Sequence, residues 1–320
     1  MLPRCYFLLH RDRDRYRDRY RERYRERYRD REREVYNMAK KTLEAHLEQL
    51  EKQSYKNLRS YEKSLREAYR SLLNDMQKVI SNVYAKIGDN ADTMLVNLNK
   101  YSRKDNVEGQ LTYLINEFSK KKYRGMYNHL REQLLYAYQF YYTGLTEISN
   151  ASYKLSPLKT EWINSMIQNE ITGLTLKETL QRQRQNIIYQ IKSKLIQGIN
   201  LGYSYSRMAN EIKDVVNGDY KKAVTTARTE VHRVRNVGTQ RSAEVAEAHG
   251  IRQVKIWRNM KDERSRKLHR KMHGVTIPVN EYFKLGDGAK CLVPGETGRA
   301  EHDINCRCIC TYRIIDDTDS

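Results

Sequence analysis

Proline, glycine and long apolar runs are scarce in this chain, and each scarcity narrows what it can build. Four prolines and 15 glycines punctuate 320 residues, and no proline falls between Pro3 and Pro157. Because proline breaks helices and glycine weakens them, the first half of the chain has little to stop a helix once it has begun. No run of about 18 or more apolar residues occurs, which excludes a membrane-spanning helix. Phe7-Leu8-Leu9 is too short for the core of a secretory signal. Nor do the five cysteines spread out as a secreted disulfide framework would. Cys5 stands alone, while Cys291, Cys306, Cys308 and Cys310 gather near the far end, a usage that points to a reducing cytosol. A phosphate-binding P-loop, a G-x-S-x-G elbow and any C-x-x-C pair are also absent, which removes the P-loop NTPase, α/β-hydrolase and zinc-ribbon readings.

Charge is abundant. Charged residues make up 31% of the chain, against about a quarter in ordinary globular domains. Lys and Arg number 60 against 40 Asp and Glu, a formal net charge of +20 with a pI near 9.6. Such a surface attracts polyanions, whether DNA, RNA or an acidic protein, and charge alone does not choose among them.

Residues 11–34 carry Arg at every odd position with Asp, Glu or Tyr between. With no apolar position to bury, this stretch is expected to be disordered, or at best a fluctuating charged helix. It reads either as a basic arm whose tyrosines stack on nucleic acid or, the preferred reading, as a translated purine-rich repeat ahead of an authentic start at Met38. Without residues 1–37, which hold 13 arginines and eight acids, the net charge is +15.

From Leu43, apolar or small residues recur at 47, 50, 54, 58, 61, 65, 68, 72, 76, 79, 83 and 87. That spacing of about 3.7 residues predicts one long helix ending at Gly88. At about 65 Å it is too long for a compact globule of this size. Segments 107–122 and 124–148 continue the helical pattern, so antiparallel helices joined by short loops such as Gly88-Asp89-Asn90 are expected. After Pro157, Trp162, Ile163, Met166 and Ile167 share a helical face. Thr175 and Glu178 form a capping-box pattern at the head of a helix running to Gly202. A helix from Ser204 or Ser206 is expected to end near Gly218. Another is expected over 221–249, with Val224, Ala227, Val231, Val234, Gly238, Val245 and Ala248 inward and Arg228, Arg233, Arg235 and Arg241 elsewhere around it. Glu230 is read as an ion-pair partner for arginine.

The stretch Trp257–Cys310 concentrates the chemistry-bearing residues. Val254–Trp257 reads as a strand, Asp262–Met272 as a short helix capped by Asp262, Val275–Ile277 as a second strand and Cys306–Ile314 as a closing strand. On a strand, Cys306, Cys308 and Cys310 share one face. Three thiols on one face point to zinc, with His269 or His273 and an acid or His302 completing the shell; the alternative is a buried thiol face in a small core. His269 and His273 have the spacing of a zinc protease, but Arg270 stands where its Glu base belongs. A metal-dependent nuclease on Asp262, His269 and His273 is the enzyme-class alternative.

The order Trp257, Asp262, Arg264, His269, Gly274, Phe283, Pro294-Gly295 and Asn305-Cys306-Arg307-Cys308 resembles the C-terminal domain of phage Mu F-like minor head (head morphogenesis) proteins. Gly198-Ile199, Gly202, Met208-Ala209 and Ala227-Arg228-Thr229-Glu230 extend the resemblance over residues 160–312. It implies a non-enzymatic minor structural protein of a tailed-phage head, incorporated with the portal during procapsid assembly and facing the packaged DNA. The partners it implies are the portal, the major capsid or scaffold proteins, and double-stranded DNA bound without sequence preference. The virion head interior is its place, reached through the host cytoplasm. A nucleic-acid-binding module outside the virion is the other non-enzymatic reading. The fold expected is α+β and predominantly α-helical: an Arg-rich segment over 1–37, a long-helix body over 38–156, a helical middle region over 157–220 and the Mu F-like domain over 221–320.

Overall fold

The computed structural model describes the backbone of residues 5–87, 103–149, 151–171, 173–260 and 262–315, and the side chains of these except 5–42 and 103–105. With neither glycine nor proline between Pro3 and Gly88, one helix, α1, runs unbroken over Cys5–Ile87. The backbone of the Arg-rich repeat lies within this helix, the charged-helix alternative of the two expected. Arg and Glu are good helix formers, and the repeat contains no residue that would break the ladder. The expected Gly88-Asp89-Asn90 loop lies outside the described residues.

The apolar stripe of α1 is buried at Leu43, Leu47, Leu50, Leu58, Leu65, Leu72 and Met76. Farther along, Tyr69, Ile80 and Tyr84 are buried in place of Ala68, Val79 and Val83. The larger side chains bury more apolar area, and both tyrosine hydroxyls find partners inside, Tyr69 at the Asp219 carboxylate (2.5 Å) and Tyr84 at the Tyr203 carbonyl (2.8 Å).

Helix α2 (Arg103–Ser149) lies antiparallel to α1. The pairing is fixed by His46 stacked on Phe140, a Ser54–Gln133 hydrogen bond, Tyr61 stacked on His129, and Lys122 donating to Tyr69. After the short α3 (Thr160–Ile167) comes α4 (Leu176–Asn200), headed by the capping box in which Thr175 accepts from the Glu178 amide and Glu178 accepts from the Thr175 amide. Helix α5 (Tyr205–Ala248) completes the body. It is a single helix of 44 residues rather than two. Gly218 sits on its exposed side, while Ile212, Val215, Val216, Ala223 and Val224 carry the buried stripe across it.

Near its middle α5 is enclosed on every side, with residues 231–240 all buried. Arg233 and Arg235 are therefore inside the protein, whereas Val245 is half-buried and Ala248 exposed. Gly238 permits the close approach to α2, since a Cβ there would lie 2.5 Å from the Leu134 carbonyl oxygen. Farther down, Lys122 and Asp219 form a buried ion pair of 3.1 Å that ties α2 to α5.

The chain then builds a three-stranded antiparallel sheet of order β2-β1-β5 from β1 (Gln253–Arg258), β2 (Thr276–Pro278) and β5 (Ile309–Ile314). A two-stranded ladder pairs β3 (Phe283–Lys284) with β4 (Lys290–Cys291), and two short helices, α6 (Lys267–Lys271) and α7 (Ala300–Asp303), complete this α+β arrangement. One apolar cluster holds Trp257, Phe283, Val293, Cys306, Cys308, Cys310 and Tyr312 together with Leu43, Leu47 and Leu50 of α1, Tyr141 of α2 and Val237 of α5. The terminal sheet is thus packed into the same core as the helix ends. Tyr141 also donates from its hydroxyl to Gln253 of β1.

Two local expectations are corrected. Asp262 does not cap a helix, because α6 starts only at Lys267 after Arg266 and Asp262 is held by Arg307 instead. The closing strand starts at Ile309, which leaves Cys306 and Cys308 ahead of it.

Candidate metal centre

Asn305 makes the turn that creates the site. Its φ of 55° is left-handed, a conformation that Asn tolerates better than most residues, and its amide donates to Thr229 Oγ1 at 3.0 Å. Two further side chains of α5 hold the next residues, His232 Nε2 and Asn236 Nδ2 reaching the Cys308 carbonyl at 2.5 and 3.0 Å. Asn236 Nδ2 also donates to the Pro294 carbonyl at 2.9 Å, which is how Pro294-Gly295 joins the assembly. Burial lowers His232 to about 4, so at neutral pH the ring is uncharged. Its Nε2–H then donates to Cys308 while Nδ1 accepts from Arg235 at 3.0 Å.

With its backbone pinned to α5, this loop brings two thiols to His269 of α6. Cys308 Sγ is 3.4 Å and Cys306 Sγ 3.7 Å from the same ring nitrogen, His269 Nδ1. The three side chains are buried, and their donor atoms all lie within 4.8 Å of one another. On its other side His269 Nε2 meets His302 Nδ1 at 3.2 Å, and His302 Nε2 meets Asp287 Oδ2 at 2.7 Å. In the arrangement that suits metal ligation, His302 donates to Asp287 and accepts from His269 Nε2–H, which leaves the lone pair of His269 Nδ1 facing the sulfurs. Trp257, fully buried, packs edge-on against His269 (5.6 Å) and Phe283 (5.1 Å).

The two thiols differ in acidity. Cys306 falls well below the ordinary thiol range, chiefly because Cys308 hydrogen-bonds its sulfur. Cys308 is pushed up by that same contact and by burial.

Cys310 is not part of this group. It faces Trp257 across the β1–β5 ladder, and burial lifts its thiol to about 12, opposed by Lys255. The period-two argument fails because Cys306 and Cys308 precede the regular strand. His273 is also outside the group, its Nδ1 accepting from the Asn259 amide at 3.3 Å. Asp262 forms a two-pronged pair with Arg307 at 2.6 and 2.7 Å that holds its carboxyl at about 2, with exposed Arg264 adding a weaker pull. Asp262, His269 and His273 therefore do not converge on one metal position among the described residues.

Each residue of Arg228-Thr229-Glu230 has its own task. Arg228 grips Glu62 of α1 at 2.6 and 3.0 Å, Thr229 receives the Asn305 amide, and Glu230 pairs with buried Arg233 at 2.9 Å. Arg233 also reaches Glu296 at 3.2 Å and the Ile167 carbonyl at 3.4 Å, joining α5 to α3 and to the loop after Pro294. Sequence reasoning missed Asp287 and Glu296. The Gly286-Asp287-Gly288 turn was a local signal for the first, and nothing in the spacing marked the second.

The family model described as Phage Mu protein F like protein matches residues 189–311. Minor head protein GP7 of Bacillus phage SPP1 is 30% identical over 278 residues, covering 83% of this chain and 86% of that protein. This chain belongs to the phage Mu F-like head morphogenesis family. The family's role in the phage head comes with that membership, and a minor head protein is what its relative is named. The NAD(+)--arginine ADP-ribosyltransferase EFV of Enterococcus faecalis is also 30% identical, over 180 residues that make up 56% of this chain but 36% of that longer protein. No solved structure matches the chain.

Proposed function

We propose that this protein is a minor structural component of a tailed-phage head, incorporated with the portal during procapsid assembly and facing the packaged DNA. The observation that carries this reading is the similarity to the SPP1 minor head protein along most of both chains. The residues that define the family-like pattern support a structural rather than catalytic task. Asn305 is tied to Thr229 of α5, Arg228 joins α5 to Glu62 of α1, Glu230 holds buried Arg233, and Asp262 holds Arg307. The net charge of +20 suits contact with DNA phosphates, which gives affinity without sequence preference and a steep loss of binding with salt. Its partners are the portal and the major capsid or scaffold proteins, and zinc is its structural ion, at His269, Cys306 and Cys308.

Procapsids assembled with and without the portal and analysed by quantitative mass spectrometry test the placement. The protein should be present in the complete particles and lost from those lacking portal. A chain absent from both, yet bound to nucleic acid in the lysate, would favour the reading outside the virion. Metal-dependent cleavage of DNA by the purified chain would favour the nuclease.

A further inference from the structure

Two sulfurs crowd one imidazole nitrogen at the centre of the terminal sheet, and the nitrogen has one lone pair to offer. A single S–H···N hydrogen bond would satisfy His269 Nδ1, yet both Cys308 and Cys306 converge on it, at 3.4 and 3.7 Å. In a tetrahedral zinc shell, bonds of about 2.3 Å to sulfur and about 2.05 Å to nitrogen place ligand atoms about 3.5 Å apart, the separation found here. The fully buried Trp257 indole N–H lies by the Cys308 sulfur, where it favours negative charge on that atom.

We infer that His269 Nδ1, Cys306 Sγ and Cys308 Sγ form a three-residue shell for a thiophilic, redox-inert cation of the zinc class, and that His302 and Asp287 are the positioning pair that aims the imidazole. This rests on the zinc reading above and goes beyond it by excluding Cys310, Cys291 and His273 and by assigning the outer pair. Metal ligation by Nδ1 requires the ring proton on Nε2, and the Asp287–His302–His269 row holds it there. His302 is itself buried, whereas Asp287 is partly exposed, so the row begins at the surface and ends at the ligand. Binding displaces the thiol proton and leaves both sulfurs as thiolates. The ion then joins α6 to a loop already fixed on α5 by Thr229, His232 and Asn236. It acts as a fastener beside the Asp262–Arg307 pair and the Arg266 hydrogen bond to the Ile304 carbonyl.

The test uses the full chain, purified without metal and titrated with zinc or cobalt(II). One ion per chain is expected, with the visible bands and thiolate-to-cobalt absorption of a tetrahedral site bearing two sulfurs. Cys306→Ser and Cys308→Ser should each abolish uptake, while Cys310→Ser, Cys291→Ser and His273→Ala should bind as the parent does. His302→Gln and Asp287→Ala should bind about 10- to 100-fold more weakly yet reach the same spectrum at saturation. Asp287→Ala is the safeguard against misfolding, since its side chain is the least buried in the row. Failure of the folded parent to take up either ion would overturn the zinc reading itself. Parental affinity in both His302→Gln and Asp287→Ala would leave zinc standing and overturn the positioning pair, and loss of uptake in Cys310→Ser would overturn the ligand assignment.

Discussion

The helical body and the terminal sheet reach stability by different routes. In the body, Leu43, Leu47, Leu50, Leu58, Leu65, Leu72, Met76 and Ile80 repeat along α1 and meet similar stripes on α2, α4 and α5, so burial of many like side chains does the work. The terminal sheet has strands of two to six residues and two short helices. Single contacts there do what repetition does in the body: Thr229 on Asn305, Asn236 on Pro294 and Cys308, Arg307 on Asp262, His269 on the thiols. The comparison teaches that a periodic region tolerates loss of one member, whereas a region held by unlike contacts depends on each.

Breaking the junction between the regions should cost most. Arg233→Ala leaves Glu230 and Glu296 facing each other without their shared cation in a buried setting, and a loss of about 3–5 kcal/mol is expected. Denaturant unfolding of the variant measures it. A loss under about 1 kcal/mol would mean the two carboxylates find solvent there.

Within the body, Gly238→Ala forces a methyl group to 2.5 Å from the Leu134 carbonyl and 3.0 Å from Ala137 Cβ. Separation of α2 from α5 should cost about 1–3 kcal/mol, read as a lower melting temperature with little change in metal affinity. Metal affinity falling in parallel would show that the two regions are less separate than described.

A smaller effect comes from pH. Burial against Tyr61 lowers His129 to about 4 from its ordinary 6.5. The folded protein then binds fewer protons than the unfolded chain between those values. Stability is fully present above about pH 6.5, falls as the pH drops toward 4 and levels off below it, a loss on the order of 2 kcal/mol. His129→Phe, which keeps the stacked ring, should remove that part of the acid sensitivity. An unchanged pH profile in the variant would assign it to other groups.

Asp262→Asn should have the smallest effect on global stability, because the pair with Arg307 is largely solvent-accessible. Its mark should be faster proteolysis of the segment before α6. A variant with unchanged proteolysis would show that Asp262 does not fasten that segment.

The same contrast explains what could be read from the sequence. The α1 stripe, the antiparallel pairing with α2 and the Thr175–Glu178 cap were legible, since period and local chemistry specify them. Periodicity does not report how many sides of a helix are covered. Buried Arg233 and Arg235 in the enclosed part of α5 were therefore read as lying elsewhere around it, and exposed Gly218 was read as a break in an unbroken helix. In the terminal sheet, one left-handed residue, Asn305, and a strand that starts at Ile309 decide which cysteines meet His269. Neither follows from alternation along the chain, which set Cys306, Cys308 and Cys310 on one face, whereas the structure brings Cys306 and Cys308 to His269 and sets Cys310 opposite Trp257 on the ladder.

Hydrogen exchange along the full chain, with and without bound zinc, tests the division between the two regions most directly. Removing the ion should speed exchange in residues 262–315 by at least an order of magnitude while α1, α2 and α4 exchange as before. Equal acceleration in the helical body, or no change around His269, Cys306 and Cys308, would contradict the account.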